Sequence, residues 1–105
     1  MIRANIHLAL HFLVPGAVAW LFFRAQFSRA WVTMCATMLV DVDHFLADPV
    51  YDPSRCSIGF HPLHRYPMIA AYAAMALWPK LRLVGLGLLI HMGLDAVDCI
   101  WMSYE

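Results

Sequence analysis

Four apolar runs, at about residues 4–23, 30–46, 63–78 and 83–102, fill most of this 105-residue chain. A helix that crosses a bilayer untilted needs about 20 residues. The first and fourth runs fit, the second is slightly short, and Arg65 and Pro67 interrupt the start of the third. Hydrophobic residues make up 63% of the chain and charged residues 13%, outside the usual soluble balance. Segments in lipid must satisfy their own backbone groups, so helices are expected. The expected fold is all-α: a single domain over residues 1–105, built as an integral membrane bundle of four transmembrane helices, the third short or partly interfacial.

Charge placement orients such a bundle. The connection between the first two runs carries Arg24 and Arg29, that between the last two carries Lys80 and Arg82, and neither has an acid. Four crossings put both connections on one side, and short basic loops face the cytoplasm. The expectation is a multi-pass protein of the cell inner membrane, with both termini and the long connection at residues 47–62 on the periplasmic or external face. Trp20, Trp31, Trp78 and Trp101 fall near run ends, as an interfacial aromatic belt would. Zero net charge argues against nucleic acid, which needs a basic face. No cleavable signal peptide is expected, because the first run is too long and contains histidines. Cys35, Cys56 and Cys99 lack CxxC spacing, which excludes a cysteine zinc knuckle or a thioredoxin motif. Cys56 and Cys99 both map outward, where a disulfide between the loop and the fourth run can form.

The same alternation gathers the ionisable groups. His7 and His11, then Asp41, Asp43 and His44, then His61 and His64, then His91, Asp95 and Asp98 all fall toward one side. His7 and His11 are four apart, as are His91 and Asp95; Asp41 and His44 are three apart, as are His61 and His64. Residues at those spacings share a helix face and present two ligands to one point. Mixed imidazole and carboxylate shells suit zinc, manganese or iron, and facing helices build such sites in bundle cores. Any one of these histidines is equally well read as a hydrogen-bonded packing residue; their number points to a metal centre, with a proton relay as the alternative. The candidate ligands are His7, His11, Asp41, Asp43, His44, His61, His64, His91 and Asp95, around one or more ions of zinc or another divalent transition metal. Pro15 removes the amide that would bond the His11 carbonyl and so opens the first helix beside the site. The alanines at 70, 71, 73, 74 and 76, with Gly85, Gly87 and Gly93, read as close packing surfaces, and Tyr72 as core filling.

The strings ATMLVDVDHFLADPVYDPSRCSIGFHPLH and GLGLLIHMGLDAVDCIWM resemble a family of small bacterial multi-pass membrane proteins. More distantly, the chain is similar to the LexA-regulated inner-membrane proteins regarded as metal-dependent hydrolases. Those carry an early helix histidine, a Pro-Asp-x-Asp-His segment, a His-Arg-Gly…His segment and a helical His-x-x-x-Asp. The resemblance implies ligand roles for His11 or His7, then Asp41, Asp43 and His44, then His61 and His64, then His91 and Asp95. More remotely, the set is similar to that of zinc-dependent phospholipases C and related nucleases. Val40 stands where the pattern has a proline, and HPLH brings its histidines closer and lacks Arg-Gly.

The expected function is a membrane-embedded, zinc-dependent hydrolase of a phosphoester, with a lipid headgroup as a natural substrate because the site opens at the interface. Metal-bound water is the nucleophile, and the catalytic aspartates are Asp43 and Asp41, one of them as general base. Arg55 and Arg65 are the candidate substrate-binding residues, since guanidinium forks match a phosphate. Membrane lipids are the expected partners, and a homo-oligomer stays open. A non-enzymatic metal carrier or sensor would show the same ligands. A haem electron carrier would use the histidines as axial ligands but leave the carboxylates without a role.

Overall fold

The computed structural model describes residues 2–50, 52 and 54–104. It contains four α-helices, α1 (Ile2–Phe22), α2 (Phe27–Ala36), α3 (Tyr66–Leu77) and α4 (Arg82–Ser103). The last of these is central, packing against each of the other three. From α2 the chain runs on into a ten-residue 3₁₀ helix, Thr37–Leu46. That is long for this geometry, in which side chains eclipse and hydrogen bonds are poorer. Thr37, Val40 and Asp43 are its buried residues. At three residues per turn they stack in one line against the core. An α-helix turns about 100° per residue and would swing each of them about 60° away from the last.

Two apolar clusters hold the helices together. Ala19, Ala30 and Met34 join α1 and α2, while Val40, Tyr72, Leu88 and Met92 join the 3₁₀ helix to α3 and α4. At Gly85 a Cβ would run into the backbone of Met75 and Ala76, so α3 and α4 approach as closely there as backbones allow. Gly87 sits equally close to Met34 and Thr37, whereas Gly93 meets nothing; two of the three expected packing glycines stand at contacts. Trp31 is no belt residue: its ring covers Gly16 and its indole N–H donates to the Phe12 carbonyl at 2.8 Å. A disulfide between Cys56 and Cys99 ties the long loop to the end of α4.

Among the described residues, only α1 and α4 are α-helices long and apolar enough to cross a bilayer. The second apolar run is no single α-helix: it is α-helical over the ten residues Phe27–Ala36 and 3₁₀ from Thr37 on. The third begins at Tyr66, since Arg65 is extended ahead of Pro67, and α3 has twelve residues. Twelve residues span about 18 Å, against roughly 30 Å of hydrocarbon. The radius of gyration is 13.8 Å, that of a compact domain of about 100 residues. The expected integral membrane bundle of four transmembrane helices is therefore corrected to a compact four-helix domain. The expectations built on that bundle are corrected with it: the multi-pass inner-membrane location, the outward-facing site and the lipid partners.

Candidate metal centre

α1 and α4 run antiparallel with matched rungs. Arg3 Nη1 donates to both oxygens of Asp98, at 2.9 and 3.0 Å. One turn on, His7 Nε2 lies 3.0 Å from Asp95 Oδ1. Another turn on, the His11 and His91 rings meet edge to face with centroids 4.5 Å apart. The His11 Nδ1–H donates to the His7 carbonyl at 2.7 Å, because a carbonyl only accepts. In the neutral ring this leaves the lone pair on Nε2, which faces Asp95 Oδ1 at 3.3 Å.

The 3₁₀ helix and the end of the long loop supply the rest. Asp43, buried by the three-residue period, accepts from the Leu63 backbone N–H at 2.8 Å and from His64 Nδ1 at 2.9 Å, both on Oδ2. Its other oxygen lies 2.9 Å from His44 Nδ1. The Tyr72 hydroxyl donates to the Leu63 carbonyl at 2.8 Å, so the backbone just before His64 is clamped on both sides. His64 is fully buried and presents Nε2 inward.

Four ligand atoms converge there. His64 Nε2 and His91 Nε2 are 3.3 Å apart. Asp41 Oδ1 lies 3.2 Å from the first and 2.9 Å from the second. Asp95 Oδ2 lies 3.0 and 3.2 Å from the same two nitrogens. These are five of the six edges of a tetrahedron. A regular tetrahedron with edges of about 3.1 Å has its centre about 1.9 Å from each corner, against roughly 2.0–2.2 Å for zinc–nitrogen and zinc–oxygen bonds. Asp95 Oδ2 is buried and, despite those short distances, has no hydrogen bond of usable geometry. Buried polar atoms left in that state call for an ion or a water. A buried His/Asp cluster able to coordinate a divalent metal ion is thus present.

The electrostatics match. Burial alone would raise the Asp41 carboxyl, but hydrogen bonds from His64 and His91 outweigh it and hold it far below the usual range. Burial would likewise raise Asp95, and the contacts of His11, His64, His7 and His91 reverse that. Burial opposes the charged form of both central histidines. Asp41, Asp95 and Asp43 nonetheless push His64 up to about 10, and Asp41 with Asp95 push His91 up to about 9. Burial would raise Asp43 too, but His64, His44 and the Leu63 N–H keep it ionised.

Groups of potential ligands include His7, His11, Asp41, Asp43, His44, His64, His91 and Asp95. His61 stands one layer out, its ring stacked on His44 with centroids 3.7 Å apart, and burial lowers its pKa. Arg55 spends Nη2 on the Pro49 and Val50 carbonyls and lies over the Phe60 ring. Arg65 is exposed and lines a separate cavity beside Asp43. The arrangement could hold a metal ion and carries no phosphoesterase signature, so the expected membrane-embedded phosphoesterase is corrected to a candidate metal-ligand cluster. Sequence reasoning missed Arg3 and Tyr72. Arg3 could have been found by its position four residues before His7; nothing local marks Tyr72, although a buried hydroxyl always needs a partner. A cavity of about 350 Å³ reaches the cluster between α1 and the long loop, with His7, Asp41, His44, His61 and Asp95 in its wall.

No curated protein and no solved structure matches the chain. A family model does match, and its description carries neither a membrane setting nor a hydrolase activity. The resemblance to multi-pass and LexA-regulated inner-membrane proteins is corrected accordingly. Matched over residues 1–102, the chain belongs to the family of unknown function DUF6122.

Proposed function

We propose that this protein holds zinc as a resident ion at Asp41, His64, His91 and Asp95, with Asp43 as the outer carboxylate that orients His64. The observation that carries this reading is the convergence of two ring nitrogens and two carboxylate oxygens, with five of their six separations between 2.9 and 3.3 Å and all within 4.8 Å. Two nitrogens with two oxygens suit a borderline ion such as zinc, whereas calcium and magnesium take oxygen shells. A carboxylate on the far ring nitrogen is the usual support of a metal-bound histidine.

Asp41 differs from the other three. Its side chain is 36% exposed against 5% or less for His64, His91 and Asp95, and it lines the cavity. A ligand at the water's edge can yield its place to water, and zinc-bound water is a nucleophile at neutral pH. On that ground we read the centre as hydrolytic: zinc held there would supply an activated water, and Asp41, at the cavity edge, would be the carboxylate placed to hydrogen-bond it. Elemental analysis of protein purified in chelator-free buffer tests the metal. Stoichiometric zinc is expected, and its loss in His64→Ala and His91→Ala. Cobalt exchanged into the site should give the intense visible absorption of tetrahedral coordination. Absence of any stoichiometric metal overturns the proposal.

A further inference from the structure

We infer a second divalent-metal position, formed by His7, His11 and the far oxygen of Asp95, so that this one carboxylate bridges two ions. The inference rests on Asp95 serving the first ion. Its two oxygens face different pairs of histidines. Oδ2 faces His64 and His91 at 3.0 and 3.2 Å, while Oδ1 faces His7 and His11 at 3.0 and 3.3 Å. No atom is claimed twice.

The ring orientation supports the second position independently. His11 gives its Nδ1–H to the His7 carbonyl, which turns Nε2, the atom a metal would take, toward Asp95 Oδ1 across 3.3 Å. His11 and Asp95 are 4% and 5% exposed, so these ligand atoms are held away from bulk water. His7 and His11 come from adjacent turns of α1, with ring centroids 4.3 Å apart, as two ligands to one ion require. The position has three protein ligands and borders the cavity through His7 and Asp95. Three protein ligands leave a fourth place open to water or an anion, in contrast to the four-ligand position beside it.

Zinc content and magnetic coupling test this together. The native protein is expected to hold two equivalents, and His7→Gln or His11→Ala one, with the helical circular dichroism unchanged. His7 is the more exposed ring, so His7→Gln keeps the test alive should His11→Ala not fold. In the cobalt-loaded native protein, spin coupling should cut the paramagnetic signal per ion below that of His7→Gln. One equivalent in native protein and in both α1 variants overturns the second position and leaves the first standing. No metal in the native protein removes both.

Discussion

Loading the first ion at pH 7 is expected to expel two protons, one from His64 and one from His91. In the metal-free protein these rings are pushed up to about 10 and about 9, so both are charged at neutral pH. Zinc needs the Nε2 lone pairs, and the protons must leave. Each proton contributes about 1.4 kcal/mol per pH unit, so two raise the affinity about a hundredfold, ~2.7 kcal/mol, for each unit between pH 6 and 8. Unperturbed imidazoles, with pKa about 6.5, would together release only about half a proton at pH 7. Stability of the metal-free protein runs the other way. The histidine contribution is whole below about pH 6.5 and is lost as the pH rises through about 9 and 10. The lowered Asp41 and Asp95 contribute above their model value of 3.8 and lose that contribution as the pH falls below it. Calorimetric titration of the first equivalent, in buffers of different ionisation enthalpy, counts the protons. Melts with and without zinc from pH 6 to 8 give the trend. A count near one half, or a zinc-induced shift that does not grow with pH, refutes the reasoning.

Asp43→Asn keeps an acceptor for Leu63 and His64 but loses the charge behind the ring. Zinc affinity should fall about 10- to 100-fold, as for other outer carboxylates, by competition with a chromophoric chelator. Reducing the Cys56–Cys99 bond, which closes a 43-residue separation, should lower the metal-free stability in urea by about 4 kcal/mol on loop entropy. Gly85→Ala drives a methyl into the Met75–Ala76 backbone and should cost about 1–3 kcal/mol in the same assay.

The spacings that draw ligands together were readable from the chain alone. His7 with His11, and His91 with Asp95, sit four apart on α1 and α4, and the two helices meet along that line. Local patterns say less about the second apolar run. Nothing within residues 30–46 marks Thr37 as the end of the α-helix. The 3₁₀ turn there accompanies contacts made from far away: Gly87 against Thr37, and Leu63 and His64 drawing on Asp43 from some 20 residues on. The same distance hides the role of Asp43, whose partners belong to the loop, and that of Tyr72, whose hydroxyl reaches back to Leu63. Composition misleads for a related reason. It counts apolar residues without saying how the chain divides them, and a run that turns 3₁₀ after Ala36 or begins only at Tyr66 yields no long α-helix.

Charge balance carries the two-ion arrangement one step further. In the metal-free cluster, protonated His64 and His91 offset two of the three ionised carboxylates Asp41, Asp43 and Asp95, leaving one negative charge. One zinc in place of two protons leaves that balance unchanged, so burial, which penalises net charge, does not oppose the exchange. A second ion is different. Two divalent ions bring four positive charges, while the ionised Asp41, Asp43 and Asp95 bring three negative ones. Asp98 is already matched by Arg3. The second ion thus turns one negative charge into one positive charge, which one anionic ligand neutralises; the open fourth place at the cavity is where it enters, as hydroxide from bound water or as a monovalent anion. Affinity for the second equivalent should accordingly rise with added formate in a non-coordinating buffer, and with pH when no anion is supplied. The first equivalent should not respond to formate. A second equivalent indifferent to both would mean that the cluster does not balance its charge in this way.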